Sequence, residues 1–150
     1  MDVDRNAPVT IERVAEIEAT PDAVWDVLVD VEGWPDWNPD VKSAQLEGSF
    51  AAGSEFRWKS GASTIHSTIE LVERPRLVGW SGTTLGARAA HVWRLEPTRT
   101  GTRVLTEESM SGLVPRLFSG WMKRTLERSL DTWLAEMTKT VESRSPRSPA

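Results

Sequence analysis

Cysteine and tyrosine are absent from the 150-residue chain, and histidine occurs only twice. Without cysteine there can be no disulfide, thiolate metal site or thiol nucleophile; the composition fits a reducing compartment, and a cytoplasmic location is expected. Two separated histidines are too few for a metal centre, so neither metal nor cofactor is expected. No run of about 18 apolar residues occurs, and the polar N-terminus has no basic stretch leading into an apolar one. Neither a spanning helix nor a signal peptide is predicted. The charge of −4 is spread along the chain without a basic stripe, which argues against a nucleic-acid partner. Ser–His–Asp spacing and phosphate-cradling glycine loops are also missing.

What the chain has is tryptophan, eight against three phenylalanines. Each brings a large apolar area and one N–H that needs a partner when buried. Eight exceed the packing needs of a domain this size, so their placement carries information. The length suits one domain that buries roughly 70% of its extended surface.

Residues 9–18 alternate as a strand. Thr20-Pro21-Asp22 opens a helix, with Thr as cap, Pro at the first position and an acid in the first turn. Ala23, Val24, Val27, Leu28 and Val31 continue it, and residues 34–40 support only a short second helix. From there to Ser111 the period is two. Strands are expected over residues 41–46, 54–60, 63–73, 77–83, 87–96 and 102–110, with a tight hairpin at Gly61-Ala62. Consecutive strands without intervening helices make an antiparallel meander, one face covered and the other wet. The cover is residues 113–142, where apolar residues from Leu113 to Val141 recur at helical steps, predicting one helix about 45 Å long. Residues 1–8 are expected as a flexible lead, 9–142 as the domain, and 143–150 as a disordered tail.

The segment from Thr20 through Val24-Trp25 and on to Gly33-Trp34-Pro35-Asp36-Trp37-Asn38-Pro39 resembles the opening of the START-like and polyketide cyclase/dehydrase superfamily. The meander and long terminal helix follow in that superfamily's order. The resemblance implies an α+β helix-grip fold, a curved antiparallel sheet around the C-terminal helix, like that of the plant pollen allergens. It also implies a hydrophobic cavity between sheet and helix. Members bind lipids, sterols, polyketides or hormones, and some are cyclases or aromatases; fold alone does not choose.

Strand parity puts Phe56, Trp58, Ile69, Trp80, His91 and Trp93 on the inner face, with Trp34 and Trp37 at the cavity mouth. The terminal helix would add Phe118, Trp121 and Met122. Trp25 and Trp133 are expected as core, and His66 falls on the wet parity. His91 is either a cavity group, anchoring a ligand oxygen or exchanging protons, or a buried neutral histidine bonded to a neighbour. For Glu107-Glu108, Arg103 taken as outward turns Glu108 inward, whereas Leu105 argues the reverse unless a bulge intervenes. A carboxyl in an apolar pocket would have a raised pKa and could pair with His91. Gly82 and Gly86 read as turn glycines, and Gly112 as a hinge before the last helix.

Three functions compete. The first is a non-catalytic binder of a small apolar or aromatic ligand, as a monomer or weak homodimer. The second is a polyketide cyclase or dehydratase with His91 and Glu108 as acid/base pair, working largely by holding a reactive chain folded. The third is a protein-binding module using the outer sheet face (Arg57, Lys59, His66, Glu70, Arg88, Arg94), which carries mixed charge without an apolar patch.

Overall fold

A computed structural model describes residues 1–144. Seven strands form one antiparallel sheet in the order β1-β7-β6-β5-β4-β3-β2. They are β1 (Val9–Ile17), β2 (Val41–Leu46), β3 (Glu55–Ser60), β4 (Ser63–Glu73), β5 (Leu77–Thr84), β6 (Ala87–Pro97) and β7 (Thr102–Ser111). Strands β2 to β7 are the meander, and β1 closes the edge by pairing with β7 from Val9–Met110 to Ile17–Thr102. Between β1 and β2 lie α1 (Pro21–Val29), a 3-10 turn (Val31–Gly33) and α2 (Trp34–Trp37); α3 (Leu113–Leu117) and α4 (Ser119–Arg144) follow the sheet. This is the expected α+β helix-grip arrangement, a curved sheet around a long C-terminal helix.

Local chemistry explains the elements. Thr20 Oγ1 accepts from the Ala23 amide at 3.2 Å, so α1 begins on a side-chain cap with Pro21 behind it. In β4 the register slips between Ile69 and Leu71. Ile69 therefore faces the helix while Leu71, two residues on, packs on the outer side with Leu77 and Val92, where simple alternation would put both on one face.

Two other expectations change. The terminal helix is two helices, broken at Phe118 (φ −125°, ψ 42°). The Phe118 amide donates to the Val114 carbonyl at 2.9 Å, and its own carbonyl accepts from Met122 at 2.9 Å to begin α4. Ser119 and Gly120, both weak helix formers, follow at the corner where continuity would need strong ones. The second change is at the N-terminus. Rather than a flexible lead, the segment straps the outer face: Val3 packs against Leu77 and Val92, Asp4 N donates to Ser109 Oγ at 3.0 Å, and Arg5 pairs with Glu107. Of the expected tail, Ser143 and Arg144 end α4; residues 145–150 lie outside the described residues.

The core sits between the inner sheet face and α4 in two clusters. The larger joins α1 and α2 to the C-terminal half of α4 through Trp34, Trp93, Trp133, Leu134, Met137 and Val141. A smaller one groups Val9, Ile11, Ala87 and Met110 of the sheet with Leu126 and Leu130. Arg13 faces α4 and pairs with Glu127 at 2.8 Å and Asp131 at 3.0 Å, tying mid-helix to β1.

Candidate functional site

A cleft of about 920 Å³ opens between the sheet and the first half of α4. Its position follows from residue size. Where the inner face carries Trp and Phe, with α1 and α2 tucked in behind, the gap is filled. Where it carries Ser67, Gly82 and Ala89, the short strand side chains leave the gap open, although Ala87 and Ala89 still pack on the small cluster with Leu126 and Leu130. On the helix side the walls are Met122, Leu126, Ser129 and Trp133, with Trp121 at the lip.

The floor is aromatic. Trp34 is the hub of a ring cluster, its centroid 5.5 Å from Phe56, 5.7 Å from Trp58, 5.6 Å from Trp80 and 4.9 Å from Trp133. Most of these contacts are edge-on, the arrangement that ring quadrupoles favour. Trp58, Trp80 and Trp133 line the cleft, while Trp34 and Phe56 stand behind them in the core. The Trp58 indole donates to Ser67 Oγ at 3.1 Å, so this wall is oriented by a hydrogen bond as well as by packing.

The lining also holds polar side chains, among them Ser67, Ser129 and Thr132, and one histidine–carboxylate pair set into the sheet. His91 and Glu108 are cross-strand partners on β6 and β7, side by side on the inner face. His91 Nε2 lies 2.7 Å from Thr106 Oγ1, and Nδ1 lies 3.5 Å from Glu108 Oε1. The imidazole is flanked by Trp80 and Trp93 at 5.3 and 4.9 Å. Burial disfavours the charged form of each group, pushing Glu108 up to about 7 and His91 down to about 3. The pair is therefore not an ion pair at neutral pH, despite its spacing. Instead a neutral imidazole sits beside a carboxyl near its midpoint, able to donate or accept hydrogen bonds and to exchange a proton.

The structure resolves the ambiguity at Glu107-Glu108. The pairings of β7 with β1 and β6 run without a slip, so no bulge intervenes. Glu108 lines the cleft, while Glu107 faces the outer side, buried under the N-terminal strap and paired with Arg5. Leu105 is simply an outward, half-buried leucine.

Of the residues expected at the site, Trp58, Trp80, His91, Glu108, Trp121 and Met122 line the cleft together. Others do not. Trp34, expected at the mouth, is 0% exposed, because α2 turns it inward and its Nε1 donates to the Leu28 carbonyl at 3.0 Å. Trp37 is half-buried against Trp133, 5.5 Å away. Phe56, Ile69 and Trp93 point inward but are consumed by the core. Phe118, at the helix break, is 58% exposed and outside the cleft. Trp133, expected only as core, also forms part of the floor. Gly82, expected at a turn, lies within β5 between Ser67 and Ala89, and Ala87, Ala89 and Ser129 were missed, since small residues leave no mark in a hydrophobic pattern. Their shared signal is smallness on one parity of adjacent strands. The Gly112 junction is packed rather than loose: at φ +114°, a Cβ there would stand 2.7 Å from the Gly86 carbonyl oxygen.

The family model for polyketide cyclase/dehydrase and lipid transport proteins matches residues 8–142. The chain belongs to this family. Among solved structures, this family member resembles a START superfamily protein from Mycobacterium smegmatis (13% identity, TM-score 0.79, covering 91% of this chain and 99% of that one). It also resembles the Zhui aromatase/cyclase from a Streptomyces species (18% identity, TM-score 0.79, 90% and 94% covered). A protein from Thermus thermophilus is similar as well (20% identity, TM-score 0.77, 92% and 99% covered). At these identities the likeness is one of fold. Comparison with curated proteins returns no match.

Proposed function

We propose that this family member binds a small, largely apolar molecule, aromatic or lipid-like, in the cleft between β4–β7 and α4. The observation that carries the reading is the cleft itself: about 920 Å³, floored by tryptophan, with the His91–Glu108 pair set in its sheet wall. Small-molecule sites usually span about 300–1,000 Å³ and combine apolar walls with few polar groups. Because burial favours the neutral forms of both His91 and Glu108, the pair suits a hydroxyl or carbonyl better than a charged head group.

Titration with sterols, fatty acids, flavonoids and quinones, followed by tryptophan fluorescence, tests this. Ala89→Phe, which fills the cleft from the strand side, is expected to abolish the response while leaving the circular dichroism spectrum unchanged. Absence of any spectral change across all four classes would sink the proposal.

A second reading rests on Glu108. A carboxyl poised near pH 7 beside an imidazole suits proton transfer in a cyclisation or dehydration of a polyketide-like chain. The family's description and the aromatase/cyclase among its fold neighbours support this reading. Turnover surviving in a His91→Ala, Glu108→Ala double variant would remove it.

A further inference from the structure

Five of the seven exposed large apolar residues among the described residues cluster at one place, the lip of the cleft. Leu85 at the β5–β6 turn is 95% exposed; Leu113, Leu117, Phe118 and Trp121 lie on and around the α3–α4 corner. The two segments are tied together: the Val114 amide donates to the Gly86 carbonyl at 3.1 Å. Leu85 and Trp121 also line the cleft, so lip and cavity form one continuous apolar surface. Scattered apolar residues are ordinary on a protein surface, but a contiguous group with a polar rim marks an interaction site.

The rim has a sign. From Ser109 to Leu126 the chain carries Arg116, Lys123 and Arg124 and no acidic residue, in a protein of net charge −4. All three cations are exposed, and Arg88 stands exposed beside the Leu85 turn. The first carboxylate beyond, Glu127, is engaged by Arg13. Leu, Phe and Trp presented together with a girdle of Lys and Arg is the chemistry of a segment lying in the interface of an anionic bilayer. Among the described residues no helix is long and apolar enough to cross a membrane, so the contact is peripheral.

We propose that the corner formed by Leu85 and α3–α4 docks on an anionic lipid surface and turns the cleft mouth toward the bilayer. The apolar side chains at Leu117, Phe118 and Trp121 enter the head-group boundary while Arg116, Lys123 and Arg124 meet lipid phosphate and carboxylate. An apolar ligand would then pass between bilayer and cleft without crossing water.

Vesicle co-sedimentation tests this, with phosphatidylcholine alone and with phosphatidylcholine containing phosphatidylserine. The wild-type chain is expected to sediment with the anionic vesicles at low salt and to be released as salt rises. Replacing Arg116, Lys123 and Arg124 together by Gln should weaken binding about fivefold per cation. Leu117→Ser with Phe118→Ser should weaken it at least tenfold. Leu85→Ser, at a turn position too exposed to affect folding, should weaken it by a smaller but measurable factor. Three results would overturn the proposal. One is failure to sediment with the serine-containing vesicles; another is sedimentation that none of the variants alters. The third is concentration-dependent self-association by light scattering that Leu85→Ser abolishes, which would assign the patch to a second copy of the chain.

Discussion

Toward its C-terminus, α4 buries Leu134, Met137 and Val141 in a cluster completed by α1 and α2; toward its N-terminus, Met122 and Ser129 share the lining of the cleft with Gly82 and Ala89. One helix and one sheet thus meet in two ways. The difference lies in what stands between them. At the closed end the α1–α2 insertion supplies Trp25, Leu28 and Trp34, and the strands supply Phe56, Ile69 and Trp93. At the open end nothing is inserted, and several inward strand positions, Ser67, Gly82, Ala87 and Ala89, carry small side chains. Core packing is concentrated at the closed end and open volume at the other. The boundary between them is a wall of tryptophan, with Trp58, Trp80 and Trp133 serving both.

The sharpest way to break this division is Trp34→Ala. Trp34 is fully buried, meets four aromatic rings and donates a hydrogen bond to the Leu28 carbonyl. Removing it should cost roughly 3–5 kcal/mol by denaturant titration, with the cleft response lost as its floor collapses. A cost below about 1 kcal/mol would mean that the closed half is not where stability resides.

A second effect is read in pH. The folded state holds the Glu108 proton more tightly than the unfolded chain, so this group's contribution is fully present below about pH 4.5 and is lost as pH rises through about 7. The amount lost is on the order of 3 kcal/mol at most. His91 has the opposite sense: its contribution is present above about pH 6.5 and is lost as pH falls toward 3. Glu108→Gln keeps a neutral side chain of similar size, so it should flatten the slope between pH 4.5 and 7 and make the protein more stable than wild type at pH 8. Ligand affinity in the wild type should fall above pH 7, as a carboxylate forms against the apolar walls. An unchanged slope in the variant would place the titration elsewhere.

These two halves were unequally legible in the sequence. Large residues announce themselves: the alternation of Phe56 and Trp58 and the helical spacing of Leu126, Leu130, Trp133 and Met137 were enough for sheet, helix and their order. Parity placed His91 on the inner face but left Glu107 and Glu108 open, and only the uninterrupted pairing of β7 with β1 and β6 turns Glu108 inward. Parity failed past Ile69, where a bulge reverses the strand, and it could not say which inward residues remain uncovered. Trp34 shows the limit. Its neighbours Gly33 and Pro35 suggest a turn, and turns usually lie at the surface, yet the short α2 folds the ring into the centre of the core. Continuity of the last helix failed for a related reason: apolar periodicity runs through Phe118, but the backbone there does not.

A smaller effect is expected at the join between the halves. Arg13 bonds Glu127 and Asp131 near the level where α4 passes from open to closed packing. All three groups are partly wet, so Arg13→Ala should lower stability by about 1 kcal/mol or less. Hydrogen exchange should nonetheless rise in the first half of α4 more than in the second, since the second is also held by α1 and α2. Uniform exchange along the helix would contradict a division at this point.

The smallest stability change is expected at Trp121, and it separates the two halves most directly. Trp121 is as large as Trp34, but it is 56% exposed and sits at the lip with no ring partner within the aromatic cluster. Its area is only half withdrawn from water, and truncation opens no closed cavity around which the core must relax. Trp121→Ala should therefore change the unfolding free energy by no more than about 0.5 kcal/mol, within the usual range for surface substitutions. Its effect on the cleft should be out of proportion to this: the Trp121 share of the fluorescence response to ligand should vanish, and affinity should fall as one wall of the mouth is removed. The same residue type at two positions would then read out opposite quantities, stability at Trp34 and capture at Trp121. If Trp121→Ala instead unfolds the protein as readily as Trp34→Ala, the open half is structural core, and the binding function assigned to it has no physical basis.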